Sequence, residues 1–324
     1  MDVFSCDASM SHDGEKAVLA AETMLKEAGF TVSQACCSRP SCFDFAARKK
    51  GSLLFVKTQS DVDAYSSDDS LELRRVAGSV SAAPLLVSEK TRDRPLEDDT
   101  VYSRYDVSAI TLKTFENITI SKFYPLIQAG PGGYYVEIDG EAIRRRRQDL
   151  GISVGEIAKM IGSSRQTLYG YEHGMAKASV VAAYNLIYTL GIPVAKPVNI
   201  LEVPRQKKCR FLTTAKRMIV KNKLLAKIFR RPGNCSFVSV QKAPFDFVIT
   251  VPEDKMRIIG GVAASKERDL DRRIDEILSV SRILKAHPIL VTEGQMIYGK
   301  GIACIQSEEL SRMKSLEDLI MNII

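Results

Sequence analysis

The sequence predicts a multidomain protein in which a small, central, all-α helix-turn-helix domain is flanked by two related α/β modules. Two short helical patterns joined by a glycine turn lie within residues 140–192, and similar apolar segments occur before and after them in the same order. At 324 residues the chain is also too long for one such domain. We therefore expect three domains, over residues 1–130, 131–203 and 204–324.

Composition narrows the class of protein. Hydrophobic residues make up 45% of the chain and charged residues 26%, as in an ordinary globular protein. No apolar run approaches the ~18 residues of a membrane span, and the polar N-terminus is unlike a secretion signal. We therefore expect a cytoplasmic protein with no membrane partner. The seven cysteines favour reduced thiols, and Cys36, Cys37 and Cys42 lack the paired spacing of a zinc site.

The first module begins with an amphipathic helix predicted over 13–28, where apolar residues recur at helical spacing and Gly29 follows. A further helix is predicted within 70–79. The predicted strands are 43–47, 53–57, 85–87 and 107–110. Strands that alternate with helices are typical of an α/β domain.

Asp44 and Lys57 raise the question of catalysis in this module. An Asp at the start of one strand and a Lys at the end of the next resemble the D…(D/E)-x-K metal site of the endonuclease-like fold. That chemistry needs a second carboxylate two residues before the lysine to hold a magnesium ion, and this chain has Phe55 there. The aligned residues of the second module are Asp246, Ile258 and Gly260. We therefore interpret both modules as degenerate and endonuclease-like, and predict a chain that is not an enzyme and needs no metal or cofactor.

Two helix starts define the central domain. Ser153 and Glu156 form a capping box, and the short helix that they open ends at Gly162. Ser164 caps a second helix, predicted over 165–173. A short helix, a glycine turn and a second short helix make a helix-turn-helix. The alternative is a helical hairpin that only packs.

The second helix carries residues suited to reading DNA. Arg165, Gln166 and Thr167 occupy its first turn, the part that enters a major groove. Arginine can make two hydrogen bonds to guanine and glutamine two to adenine. Tyr169 and Gly170 are also expected to face outward. The full set of candidate DNA-binding residues is Arg144, Arg146, Arg147, Ser153, Ser164, Arg165, Gln166, Thr167, Tyr169, Gly170 and Lys177.

The order S-x-x-E-I-A, G-x-S-R-Q-T-L and Y-E-x-G resembles the helix-turn-helix domain of the Cro/cI/XRE regulators. The resemblance implies a lambda-repressor-like domain that binds double-stranded DNA, with Arg165, Gln166 and Gly170 facing bases and Glu172 structural. Gly170 departs from the long polar residue often found at its position. The whole arrangement, with SCFDFAARK near the start, is similar to a group of predicted archaeal regulatory proteins. We therefore expect a sequence-specific transcriptional regulator.

Sequence segments of the first module recur after the central domain. CFDF at 42–45 matches PFDF at 244–247, and APLLVSE at 83–89 matches HPILVTE at 287–293. A third match pairs 101–110 with 297–305. The second module is expected to open with a helix in the basic stretch 205–231, which has eleven Lys or Arg and no acid.

A single recognition helix reads only a few base pairs, so a homodimer is expected. The duplicated modules are its expected interface, and the alternative is that they pair within one chain. Two other functions stay open: a structure-selective, metal-dependent nuclease that uses Asp44 and Lys57, and a non-catalytic scaffold whose helix-turn-helix binds protein. The sequence names no small-molecule effector.

Overall fold

The structure, a computed structural model, describes residues 12–92, 94–203, 236–251, 256–263, 267, 269–292, 301–306 and 308–309. The predicted basic helix in 205–231 lies outside the described residues.

The first module is an α/β unit whose sheet continues into the central domain. Its elements are α1 (His12–Glu27), β1 (Thr31–Val32), β2 (Phe45–Lys49), β3 (Ser52–Asp61), a 3₁₀ turn (Val62–Ala64), α2 (Ser67–Val80), β4 (Ala83–Thr91), β5 (Arg94–Pro95), β6 (Thr100–Arg104), β7 (Val107–Ile110) and α3 (Leu112–Thr119). The sheet order is β1-β2-β3-β4-β7-β6, with β5 on the side of β4. The predicted helices and strands of this module are therefore confirmed in type and position.

The central domain contains strands as well as helices. The last strand of the first module is β8 (Ile127–Gly130), and the elements of the central domain are β9 (Gly133–Ile138), α4 (Gly140–Asp149), α5 (Val154–Met160), α6 (Arg165–Glu172), β10 (Ala178–Ser179), α7 (Val180–Leu190) and β11 (Ala195–Lys196). β8 pairs with β6, and β9 pairs with β8, β10 and β11, so the sheet of the first module runs on into this domain. Val136 and Ile138 of β9 are buried with Leu168 and Leu186 in the core of the helices. The prediction of an all-α central domain was wrong because the apolar side chains of β9 complete the helical core.

The second module repeats the strand pattern of the first. Its described elements are β12 (Ser236–Ser239), β13 (Phe247–Val251), β14 (Met256–Ala263), α8 (Leu270–Leu284), β15 (His287–Thr292) and β16 (Ala303–Gln306). They form one sheet in that order, with antiparallel pairs before β14 and parallel pairs after it. In the first module, β2 and β3 pair antiparallel and β3 and β4 pair parallel, as β13 and β14 and then β14 and β15 do here. The helices α2 and α8 are equivalent.

The two modules pack on each other within one chain. One buried cluster contains Phe43, Leu73 and Val76 of the first module together with Phe245 and Val280 of the second. The rings of Phe43 and Phe245 lie 6.2 Å apart. Burial of apolar surface is the dominant favourable term in such packing. The modules do not flank the central domain as separate bodies, and the surfaces expected to form a dimer are used inside the chain.

Two glutamates cross this interface in equivalent ways. Glu72 of α2 accepts a hydrogen bond from the backbone N–H of Gln241, and Glu276 of α8 accepts one from the backbone N–H of Cys37 at 2.8 Å. Ser38 adds its own N–H and hydroxyl to Glu276. Burial raises the pKa of Glu276, whereas these three donors and Arg272 lower it. The matched pair indicates a pseudo-two-fold axis between the modules.

The cysteines correct one expectation. Cys36 and Cys42 are buried free thiols, and burial raises the pKa of both. Cys37, however, is disulfide-bonded. The expectation of reduced thiols was therefore wrong for Cys37.

Candidate nucleic-acid interface

The N-terminal caps of the two helices of the helix-turn-helix, α5 and α6, are formed as predicted. The Ser153 hydroxyl accepts a hydrogen bond from the Glu156 N–H at 3.2 Å, and the Glu156 carboxylate accepts one from the Ser153 N–H at 2.7 Å. This reciprocal cap lowers the pKa of Glu156. At the next helix, Ser164 accepts from the Thr167 N–H at 3.0 Å, and their hydroxyls lie 2.8 Å apart. Ser153, Ser164 and Thr167 therefore position α5 and α6 through their hydroxyls.

The outer face of α6 presents a row of polar and aromatic side chains. Arg165, Gln166 and Tyr169 are exposed, and Tyr169 stacks on His173 with ring centroids 3.8 Å apart. A β-carbon added to Gly155 would lie 2.6 Å from Nε of Arg165, so that glycine leaves room for the guanidinium group beside α5. The first turn of α6 thus presents an exposed glutamine and an exposed arginine whose guanidinium group lies beside α5.

Gly170 does not belong to that row. It is buried, and the N–H of Met175 donates to its carbonyl at 2.8 Å, which folds the turn after α6 over this side of the helix. A β-carbon at Gly170 would meet the side chain of Ala176 at 3.6 Å. The expectation that Gly170 faces outward was wrong because the returning chain covers it.

Two of the candidate DNA-binding arginines are engaged inside the fold. Arg147 forms a paired contact with Glu172, at 2.6 and 3.1 Å, and donates to the Ile152 carbonyl. The hydrogen bond that Arg147 donates to Glu172 raises the pKa of Arg147. Arg146 donates to the Leu190 carbonyl at 3.0 Å and is half-buried. Arg144 remains exposed.

Lys177 follows α6 and is also exposed. Its ammonium group donates to the side-chain carbonyl of Gln128 in β8. This contact ties the segment after α6 to the shared sheet, so Lys177 has a partner inside the protein.

The nuclease-like centre of the first module is a closed hydrogen-bonded cluster. Asp44 is buried, and its carboxylate accepts hydrogen bonds from Lys57 at 2.6 Å, from the Thr58 N–H at 2.6 Å and from the Thr58 hydroxyl at 2.7 Å. Phe55 is fully buried in the core. Over the described residues, no group of three or more His, Cys, Asp or Glu could hold a metal ion. Here Asp44 acts as an internal acceptor.

The second module replaces the lysine with an arginine from its helix. Asp246 accepts from the Val262 N–H at 2.6 Å, as Asp44 does from Thr58, and its other partners are Arg273 at 2.5 Å and Arg39 at 2.7 Å. The hairpins pair Phe45 with Val56 and Phe247 with Gly260.

This register sets the equivalence of residues. Gly261 therefore stands where the first module has Lys57, and Ile259 where it has Phe55. The predicted alignment, with Gly260 and Ile258 at these places, was wrong by one residue.

Sequence reasoning missed Arg273. It lies on the face of α8 shared with Ile277 and Val280, and its side chain is almost fully buried. An arginine in register with apolar helix positions is a signal of a buried ion pair, and the sequence contains that signal.

Two family models match parts of the chain. The PD-(D/E)XK superfamily domain matches residues 15–125, and the helix-turn-helix model matches residues 143–196. No solved structure matches the chain.

Curated relatives match most of its length. A “Putative HTH-type transcriptional regulatory protein” of Methanocaldococcus jannaschii is 30% identical over 289 residues, 87% of this chain and 88% of the relative. One of the same name from Methanococcoides burtonii is 30% identical over 309 residues, 91% and 92% of the two chains. The chain belongs to this family of archaeal HTH-type transcriptional regulatory proteins. Another relative of that name, from Methanocella arvoryzae, is 42% identical over 178 residues, 55% of each chain.

Membership of the HTH-type family confirms both resemblances noted in the sequence. The helix-turn-helix match covers α4 to α7, and the PD-(D/E)XK match covers the first module. Within the described parts of this family member, no helix is both long and apolar enough to cross a membrane.

Proposed function

We propose that the protein is a sequence-specific DNA-binding transcriptional regulator that reads double-stranded DNA through α6. The observation that carries the proposal is the row of exposed side chains on α6, with Arg165 and Gln166 in its first turn behind a formed Ser164 cap. Glutamine and arginine there are suited to adenine and guanine edges. We also propose the division into a DNA-reading unit at 131–203 and two modules at 1–130 and 204–324.

The proposed base contacts of α6 are tested by replacing Gln166 with alanine. After selection of bound fragments from genomic DNA, Gln166→Ala is expected to weaken the selected site by ~1–3 kcal/mol with little effect on random DNA. Arg144→Ala is expected to weaken both kinds of DNA about equally, because a phosphate contact carries no sequence information. Competitive titrations at fixed salt measure both, and Gln34→Ala in the first module is the matched control.

An equal loss on both kinds of DNA for Gln166→Ala would contradict its assignment to a base edge. Absence of binding to any genomic fragment, even at low salt, would instead favour a helix-turn-helix that binds protein.

We propose that the protein forms a homodimer through a surface of the central domain. Val181, Tyr184 and Tyr188 of α7 are 70%, 67% and 82% exposed, and their spacing places them along one side of that helix. Exposed apolar stripes of this kind mark interaction surfaces. Pairing of two copies through α7 would present two α6 helices to one DNA molecule.

Tyr188→Asp is expected to shift the solution mass from dimer to monomer and to remove cooperative binding of two half-sites, because it places a charge in an apolar interface. Light scattering at micromolar concentration measures the mass. Tyr105→Asp, at an exposed tyrosine of the first module, is the control. A wild-type protein that is already monomeric would contradict the dimer.

The PD-(D/E)XK match favours a second candidate, a metal-dependent nuclease that uses Asp44 and Lys57. We propose that the module is not catalytic, since Phe55 stands at the position of the second carboxylate and Asp44 is enclosed by its own donors. Nicking of DNA that needs magnesium or manganese and disappears in Asp44→Ala would establish the nuclease.

A further inference from the structure

A cleft of about 850 Å³ opens beside the Asp44 centre, between the first module and Lys242 of the second. Its floor includes residues 57–60 of β3 and 87–89 of β4, at the carboxyl ends of two parallel strands. Ligands of α/β sheets bind at such strand ends, and the volume falls in the range of small-molecule sites. The position and size of the cleft therefore suit a small ligand.

The acidic groups in the interior of the cleft already have donors. Asp44 holds three hydrogen bonds from Lys57 and Thr58. Asp69 accepts from Lys242 at 2.5 Å and from the Ser66 hydroxyl at 2.6 Å. The other two carboxylates, Glu89 and Asp269, are exposed at the rim. The carboxylates in the interior, Asp44 and Asp69, are thus already occupied by donors of the protein.

The cleft also contains hydrogen-bond donors that the protein does not fully use. An ammonium group has three N–H donors, and Lys57 and Lys242 each give one to a carboxylate among the described residues. Tyr65 also lines the cleft, and it is only 2% exposed, yet its hydroxyl has no hydrogen-bond partner within the described parts of the chain. Burial raises the pKa of Tyr65, so the phenol keeps its proton and acts as a donor. A buried polar group without a partner is costly, which makes a missing acceptor the simplest explanation.

We propose that this cleft binds a small molecule with a phosphate or carboxylate group, whose oxygens accept hydrogen bonds from Lys57, Lys242 and Tyr65. The site lies in the first module and against the second, away from α6, and it is independent of how the protein reads DNA. Lys242 comes from the second module, so a bound anion would contact both modules at once.

Calorimetric titration of the full chain with inorganic phosphate, and separately with acetate, tests the proposal. Saturable binding of at least one of these anions is expected. Lys57→Met and Tyr65→Phe are each expected to weaken it about tenfold or more, the effect of losing one hydrogen bond to a charged group. Lys50→Met removes the same charge from an exposed turn at the opposite end of β3 and should leave the affinity unchanged.

Tyr65→Phe keeps the ring and removes a hydroxyl that has no described partner, so its thermal unfolding without anion should match or exceed that of the wild type. This variant therefore reports on binding even if Lys57→Met fails to fold. The ratio of phosphate to acetate affinity identifies which oxyanion the site prefers.

Three results would overturn the proposal. One is the absence of saturable binding of either anion, and another is unchanged affinity in Tyr65→Phe. The third is a short random duplex that displaces phosphate and is itself weakened by Lys57→Met, because the cleft would then hold a DNA backbone. None of these results changes the test of Gln166, so failure of the two proposals can be told apart.

Discussion

Arg273→Met is expected to lower the free energy of unfolding by ~3–5 kcal/mol, the effect of breaking a buried ion pair by removing one partner. The Arg273 guanidinium group donates to Asp246 at 2.5 Å, to Glu267 at 2.8 Å and to the Pro244 carbonyl at 2.7 Å. Methionine fills much of the same space, so the loss reports mainly on the unpaired carboxylates and carbonyls. Chemical denaturation of the full chain, followed by circular dichroism, measures it.

Arg282→Met is the matched control, because Arg282 is exposed on the same helix. A surface substitution of this kind should stay within ~0.5 kcal/mol of the wild type. Equal stability of the two variants would show that Arg273 does not organise the second module. Arg39, which also pairs with Asp246, comes from the first module. Loss of Arg273 should therefore also disturb the contact between the modules.

The parts of the fold that local chemistry dictates could be predicted from the sequence. The caps at Ser153 and Ser164 involve residues three positions apart, and both are formed. The strands and helices of the first module follow in the same way from apolar periodicity and glycine stops. Such features need no knowledge of which segments meet in space.

Long-range contacts are where the sequence reasoning went wrong. Gly170 is buried by a turn that returns over α6, and β9 is drawn into the helical core by its own apolar residues. The similarity of the two modules was visible in the sequence. The register of their hairpins depends on backbone pairing, so the predicted alignment of the second strand was wrong by one residue. The packing of the modules on each other depends on surfaces brought together only in the folded chain.

The candidate site also has a part that local sequence predicts and a part that depends on long-range contacts. The cap at Ser164 fixes where α6 begins, so the sequence alone shows which residues occupy its first turn. Arg147 could not be separated from Arg144 by composition, since both belong to one run of arginines. Only the position of Glu172, 25 residues later in the chain, turns one of them inward.

Arg147→Met should destabilise the protein by ~3–5 kcal/mol, because it leaves the carboxylate of Glu172 buried without its partner. The side chains of Arg147 and Glu172 are only 14% and 3% exposed. The double variant Arg147→Met/Glu172→Leu should recover most of this loss, since replacing a buried ion pair with apolar groups is often neutral. Chemical denaturation of both single variants and the double variant completes the cycle.

The same double variant decides whether Arg147 contacts phosphate. If its role is internal, as its pairing with Glu172 indicates, the refolded double variant should bind random DNA as tightly as the wild type, whereas Arg144→Ala should not. Titration at fixed salt compares the three proteins. Loss of random-DNA affinity in a stable double variant would place Arg147 at the DNA backbone. Retention would leave the exposed arginines of this run, Arg144 and Arg145, to contact DNA, with Arg147 holding α4 against the end of the recognition helix.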